Sequence, residues 1–520
     1  MQSTGALSKR SSRLVSSRLV QATSSEGLHL LRRPHNKWKT LDRDLNRVSQ
    51  VELAASSAWR PSVGIGISLL FLVCAGLSTA WYFGDHKSPL IIVAAAVFGA
   101  YMALNIGAND VANNMGPAVG ANALTMGSAI LIAAIGESAG ALLAGGDVVS
   151  TISKGIVDPA GFAETDVFVW AMMAALLSSA IWVNFATVVG APVSTTHSVV
   201  GGVMGAGIAA AGFAAVNWPT MGKIAASWII SPVLGGVVAA LFLAFIKNRI
   251  IYQEDKIAAA RRWVPLLIAI MAAAFSSYLA IKGLKRLIKI DLATALLIGA
   301  SVGAVFYLVS RPLIKRQSEG LENRNKSLKV LFAMPLIFSA ALLSFAHGAN
   351  DVANAVGPLA AIVHAMEFGS SATKVSIPLW VMVIGAFGIS FGLLLFGPKL
   401  IRMVGSQITK LNPMRAYCVA LSAAITVIVA SWLGLPVSST HIAVGAVFGI
   451  GFFREFEAER RARRGKLGKE LKFVAPEERK RRKLVRRSHF LTIIAAWVIT
   501  VPAAALLSAV LFLILNSLFV

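Results

Sequence analysis

The feature that most constrains this chain is an internal duplication. Eleven residues, GANDVANNMGP from Gly107, return as GANDVANAVGP from Gly348 with nine identities, 241 positions downstream. A second pair follows, APVSTTHSVVGGVMG from Ala191 and LPVSSTHIAVGAVFG from Leu435, 244 positions apart. A weaker third pair, SWIISP from Ser227 and AWVITVP from Ala496, is 269 apart, so the second copy holds about 25 additional residues after its His-containing element. Self-similarity in this order and at these spacings marks a duplicated structural unit.

The unit belongs in a bilayer. Of 520 residues, 56% are hydrophobic and 14% charged, and the mean hydropathy is +0.71. Soluble domains carry roughly a quarter of their residues as charges, so soluble, secreted, fibrous and disordered classes fall away. Cys74 and Cys418 both sit in apolar stretches and offer neither a disulfide framework nor a CxxC metal site. Windows of about twenty apolar residues begin near 63, 89, 128, 166, 193 and 222, and again near 263, 292, 329, 376, 416, 436 and 490. The fold class expected is an all-α polytopic membrane protein of about twelve transmembrane segments, arranged as inverted-topology repeats with broken or re-entrant helices.

Charge then sets the orientation. The formal net charge of +25 is concentrated in the N-terminal 60 residues, with eleven Lys/Arg against four acids, and in the loop 454–488, with fifteen against six. Without interleaved aromatics or a binding fold this is a cytoplasmic face near anionic lipid, and nucleic acid is not an expected partner. With the N-terminus inside, the basic loops 247–262, 311–328, 398–415 and 454–488 also fall inside, and the acidic 147–166 outside. One loop, KGLKRLIKID, breaks the rule by falling outside with four cations. Each repeat holds five windows, and an odd number inverts a duplicated unit across the bilayer. The organisation expected is a basic cytoplasmic segment 1–62, a first helix 63–88, a first repeat 89–246, a linker with two helices 247–328, and a second repeat 329–518 that includes the basic cytoplasmic loop 454–488. No signal peptide is visible. A bacterial inner membrane is the expected location, with an organelle membrane reached through the acid-free, Ser/Arg-rich residues 1–25 as the alternative.

Inverted repeats with Gly/Pro-interrupted helices point to a secondary transporter with its site near the midplane. Asn109, Asp110 and Asn113, matched by Asn350, Asp351 and Asn354, are costly in apolar sequence and can ligate a hard cation through oxygen. The flanking Gly107, Gly116 and Pro117, with Gly348, Gly357 and Pro358, are expected to let the helices unwind and expose carbonyls. Ser194, Thr195 and Thr196, matched by Ser438, Ser439 and Thr440, follow Pro192 and Pro436, where helices restart. Hydroxyls and free N–H groups there suit an anion, while plain helix capping is the alternative use of the same residues. His197 and His441 come next, either as titrating proton carriers or as neutral side chains bonded within the break. Glu137 is a lone carboxylate in IGESAGALLAGG, and the second repeat reads GAFGISFG there, without an acid.

At these residues the sequence resembles the inorganic phosphate transporter (PiT) family, whose signature pairs a GANDVAN element with a following PVSTTH element in each half. The resemblance covers roughly residues 89–518. It implies symport of inorganic phosphate with a proton or sodium ion by alternating access, with no cofactor and no enzyme activity. The substrate and ion ligands it implies are Asn109, Asp110, Asn113, Ser194, Thr195, Thr196, Asn350, Asp351, Asn354, Ser438, Ser439 and Thr440, with sodium, if used, at Asn109, Asp110, Asn350 and Asp351. Coupling would fall to Asp110, Asp351 and Glu137, which matches a family glutamate, and to His197 and His441. Many members carry a further glutamate ahead of the second PVSTTH element, where this chain has Ala420. Protons are therefore favoured over sodium, with phosphate carried free or as a neutral divalent-metal complex. A homodimer is one assembly open to such a protein. An anion channel and a membrane-embedded hydrolase are the rival classes: no HExxH or Walker pattern appears, and an active site seldom needs two matching halves.

Overall fold

The computed structural model describes residues 63–85, 88–189, 193–283, 290–369, 377–407, 411–465 and 487–519. The basic segment 1–62 lies outside them, as does 466–486 of the basic loop. The described chain is helical, and its one extended contact is an isolated antiparallel bridge between Val157 and Val216. The helices of the first repeat are α2 (Pro89–Gly120), α3 (Met126–Ala144), α4 (Gly146–Lys154), α5 (Thr165–Val189), α6 (Thr195–Ala211) and α7 (Trp218–Ile246), preceded by α1 (Val63–Tyr82). Between the repeats stand α8 (Lys256–Lys282), α9 (Leu292–Gln317) and the short α10 (Asn325–Leu331). The second repeat comprises α11 (Ala333–Asp351), α12 (Ala353–Phe368), α13 (Leu379–Gln407), α14 (Pro413–Trp432), α15 (Ser439–Gly465) and α16 (Arg487–Phe519).

Short polar residues start several of these helices. The side chains of Thr125, Asn217, Asp255, Asp291 and Asn412 accept from backbone N–H groups at the starts of α3, α7, α8, α9 and α14. Among the described residues eleven helical stretches, with α11 and α12 taken as one, are long and apolar enough to span a bilayer; α6 and α15 are not among them. The window of Ala333–Phe368 is 83% buried and that of Leu292–Gln317 only 17%, so α11 and α12 form the centre and α9 an outer, lipid-facing wall.

The two-fold relation is written in helix–helix contacts. A Cβ on Gly107 would lie 1.9 Å from the carbonyl oxygen of Ile389, and one on Gly348 would lie 2.1 Å from that of Glu137. Gly140 meets Phe345 O at 2.0 Å and Gly392 meets Leu104 O at 2.0 Å in the same sense. Leu104 and Phe345 are 241 positions apart, as are Gly107 and Gly348, while Gly140 and Gly392 share a displacement of 252 with Glu137 and Ile389. The repeats therefore exchange partners: α2 lies along α13, and α11 along α3. Asp110 lies beside His347 and Asp351, and Gly99 lies against Leu359, so α2 and α11–α12 run antiparallel.

Here the structure corrects one expectation and gives another its detail. The GANDVAN helices do not unwind: α2 is continuous through Gly107 and Pro117, and α11 is interrupted only at Val352, which keeps right-handed helical angles. Gly107 and Gly348 serve close helix contact rather than backbone exposure, because no side chain fits where they touch. The re-entrant helices expected in each repeat are formed by the apolar windows near 166, 193, 416 and 436, which are not four full crossings. Asp158 N donates to Ala215 O and Asn217 N to Ile156 O, which returns the end of α6 to the side where α5 begins. At the opposite side Phe332 rests on Tyr417 at 5.8 Å near the start of α14, and Glu457, far along α15, pairs with Lys247 at the end of α7. The pairs α5–α6 and α14–α15 are thus re-entrant hairpins from opposite faces. Hairpins leave parity unchanged, which is why the charge alternation survives. Lys282 pairs with Asp147, so the anomalous basic loop begins on the same side as the acidic one, as alternation requires; residues 284–289 of that loop lie outside the described residues.

Candidate functional site

The tips of the two hairpins meet beside the crossing of α2 with α11. Thr196 Oγ1 donates to Val437 O at 3.0 Å, joining one tip to the other. The first hydroxyl of each triplet acts as a cap: Ser194 Oγ accepts from His197 N (3.1 Å) and Ser438 Oγ from His441 N (3.3 Å). The capping reading is right for these two serines. The remaining hydroxyls face acids and amides. Asp110 accepts from Thr195 Oγ1 (2.9 Å) and Thr440 Oγ1 (2.8 Å), and Asp351 accepts from Ser439 Oγ (2.8 Å). Asn113 Nδ2 donates to Thr440 Oγ1 at 2.8 Å and Asn354 Nδ2 to Thr196 Oγ1 at 3.1 Å, matching bonds across the two-fold. All of these side chains are buried.

Asn109 and Asn350 turn outward from this centre. Asn109 Nδ2 donates to Thr187 Oγ1 (2.8 Å), and Asn350 Nδ2 donates to Ser431 Oγ (3.0 Å) while its Oδ1 accepts from Val437 N (3.3 Å). They bind the hairpins to the helices that carry the acids. His197 and His441 lie edge to face, with ring centroids 4.4 Å apart, and Trp228 covers His197 at 3.9 Å while its indole N–H donates to Pro436 O (3.1 Å). The pair packs along the hairpin seam.

The residue that the sequence reading passed over is His347. Its Nε2 is 2.8 Å from Asp351 Oδ2 and 3.9 Å from Asp110 Oδ2, and its Nδ1 is 3.3 Å from Glu137 Oε1. Asn114 Nδ2 donates to the same Glu137 oxygen at 2.9 Å. The available signal was an ionisable residue directly ahead of GANDVAN; comparison of the repeats hid it because its counterpart is Ile106. Ligand atoms of Asp110, His347 and Asp351 lie within 4.8 Å of one another, close enough to share one cation. Asp351 Oδ1 and Asn354 Oδ1 are buried acceptors with no protein donor, which also suits a cation. Helix N-termini at Thr195 and Ser439 bring backbone N–H groups to the same place, which suits an anion.

On the two-fold itself, Ser138 and Ser390 share a hydrogen bond of 2.6 Å. Each sits in a G-x-S-x-G string, a pattern that the sequence reading passed over when it weighed a hydrolase, but in the middle of a helix and with the glycines packed against another helix. Neither string forms the strand-to-helix elbow that would expose a nucleophile.

Two inverted helical units, with paired half-helices pointing at acids buried between them, define a secondary membrane transporter. Residues 106–508 match the phosphate transporter family, and the chain belongs to that family. A Helicobacter pylori (strain J99) protein named "Putative phosphate permease" is 47% identical over 91% of this chain and 99% of its own length. One of the same name from Chlamydia trachomatis is 38% identical over 83% of this chain and 99% of its own. A solved structure of a protein described as "The sodium-dependent phosphate transporter" superimposes with a TM-score of 0.74 at 34% identity, over 83% of this chain and all of the other.

Proposed function

We propose that this chain imports inorganic phosphate by cation symport, with alternating access produced by the two hairpins moving against the core, and that the coupling ion is the proton. The observation that carries the coupling is where the hairpin hydroxyls point. In this structure Thr195, Ser439 and Thr440 give their protons to Asp110 and Asp351. An anion placed about 4 Å from an ionised carboxylate is opposed by about 4 kcal/mol at an effective dielectric constant of 20, and here two carboxylates face it. A cation taken up at either aspartate cancels that opposition and releases the hydroxyls to donate to a phosphate oxygen instead. Neither ligand then binds well without the other, and that mutual dependence is what symport requires.

His347 supports the proton. It links Asp351 and Glu137 through contacts of 2.8 and 3.3 Å, a continuous set of titratable groups leading off the centre. Sodium is the second reading, favoured by the sodium dependence of the solved relative and by the oxygen acceptors at Asp351 and Asn354 that no protein donor occupies. Purified protein in vesicles should accumulate labelled phosphate under an inward proton gradient in sodium-free buffer, and an uncoupler should abolish it. Uptake that needs sodium and survives the uncoupler assigns the coupling to sodium. Repeating the assay with and without magnesium separates free phosphate from a divalent-metal complex.

A further inference from the structure

Outside the central site, a cavity of about 530 Å³ opens on the outer wall between α9 and the start of α11. That volume is within the roughly 300–1,000 Å³ range of small-molecule sites. Phe306, Val309 and Leu313 line it from α9, Met334 and Phe338 from α11, and Ile268 of α8 forms its floor. Phe306 and Phe338 meet edge to face at 6.4 Å and close its far end. Midway along it the Ser310 hydroxyl is turned back onto Tyr307 O (3.3 Å), and the charged and amide lining lies at the other end, where Arg316 and Gln317 stand on the last turn of α9.

We infer that this groove holds an anionic glycerophospholipid of the basic-side leaflet, with an acyl chain between α9 and α11 and its phosphate at Arg316. The dimensions agree. From Phe306 to Gln317 is eleven residues, about 16 Å along a helix, close to half of the ~30 Å hydrocarbon core. The charge agrees as well. Lys315 and Arg316 end α9, Lys326 and Lys329 lie on α10 immediately before Met334, and all four are exposed. A zwitterionic lipid would fill the groove equally well but gain less from that cluster. The occupant would sit against α11, the helix that carries His347, Asn350 and Asp351 into the centre.

Native mass spectrometry of the full chain, purified in detergent with equal amounts of phosphatidylglycerol and phosphatidylcholine, tests this. Wild type should retain phosphatidylglycerol in preference. Arg316→Gln should lower that preference about fivefold, the equivalent of one surface cation's ~1 kcal/mol. Val309→Trp, which fills the groove, should remove retention of both lipids, whereas Leu308→Trp, on the same helix but outside the lining, should not. Equal retention of the two lipids by wild type, or undiminished retention by Val309→Trp, overturns the inference. A dimer that Val309→Trp alone dissociates would assign the groove to a second copy of the chain and overturn it too.

Discussion

The two flanks of the central site occupy equivalent positions and have opposite chemistry. On one, Glu137 of α3 meets His347 of α11, with Asn114 of α2 bonded to the glutamate. On the other, the same displacements of 252 and 241 residues place Ile389 of α13 opposite Ile106 of α2, with Ala355 of α12 in place of the asparagine. The backbone contacts at the two flanks are alike to within tenths of an ångström, since Gly107 meets Ile389 as Gly348 meets Glu137. The difference teaches that the two halves share the scaffold and the central acids, whereas the charged branch is present on one side only. The hydroxyl, amide and aspartate centre is built from both halves; the titratable branch leading away from it belongs to one side.

Breaking the shared centre should have the largest effect. Asp110→Asn and Asp351→Asn should each lower proton-driven phosphate uptake by about 100-fold or more, since loss of one partner from a buried charged network costs about 3–5 kcal/mol. Labelled-phosphate uptake normalised to protein in the vesicles measures it, and a mutant that retains wild-type uptake would show that its aspartate is structural. The contrast between flanks comes next. Glu137→Gln should abolish the response of uptake to an imposed proton gradient while leaving counterflow of phosphate between equal pools measurable. Ile389→Val, at the equivalent position, should leave both within about twofold, with a stability cost of about 0.5–1.5 kcal/mol. Equal losses in the two would remove the functional meaning of the asymmetry.

A smaller effect is expected at Asn114→Ala, which leaves Glu137 without its amide donor and should reduce uptake by roughly tenfold, from about 1–2 kcal/mol. Ala355→Ser at the matching place should be neutral in the same assay. Smallest of all is the bond on the two-fold. Ser138→Ala and Ser390→Ala should each shift the thermal unfolding free energy by about 1 kcal/mol, and the double variant by no more than either single one. Additive shifts would mean that the two hydroxyls do not depend on each other.

Much of this arrangement was legible in the sequence, for reasons that also explain what was not. The duplicated GANDVAN and PVSTTH elements carry their chemistry in identical residues, so Asp110, Asp351 and the hydroxyl triplets could be placed together before any coordinates. Hydropathy cannot tell a hairpin from a pair of spans, because both need apolar surface, so the re-entrant helices expected in each repeat take their places, α5–α6 and α14–α15, only from the helix contacts. Glycine is equally ambiguous between a helix that opens and a helix that is closely approached; at Gly107 and Gly348 the second applies. His347 was hidden by the method that found everything else: a search for what the halves share passes over what only one half has.

The exchange of partners between repeats has a consequence for how the protein is made. Helix α2 finds its backbone-to-backbone contact, Gly107 on Ile389, only when a residue 282 positions later has been synthesised. At 5–20 residues per second that is on the order of 15 to 60 s. Until Asp351 is made, Asp110 and its neighbouring asparagines have no complete α11, and throughout the interval they have no complete α13 and no α15 to cover them. The nascent first half must be sheltered in the membrane, and neither half can become a finished domain ahead of the other. Synthesised as two polypeptides divided between α7 and α8, the halves should be degraded separately and accumulate only when made together.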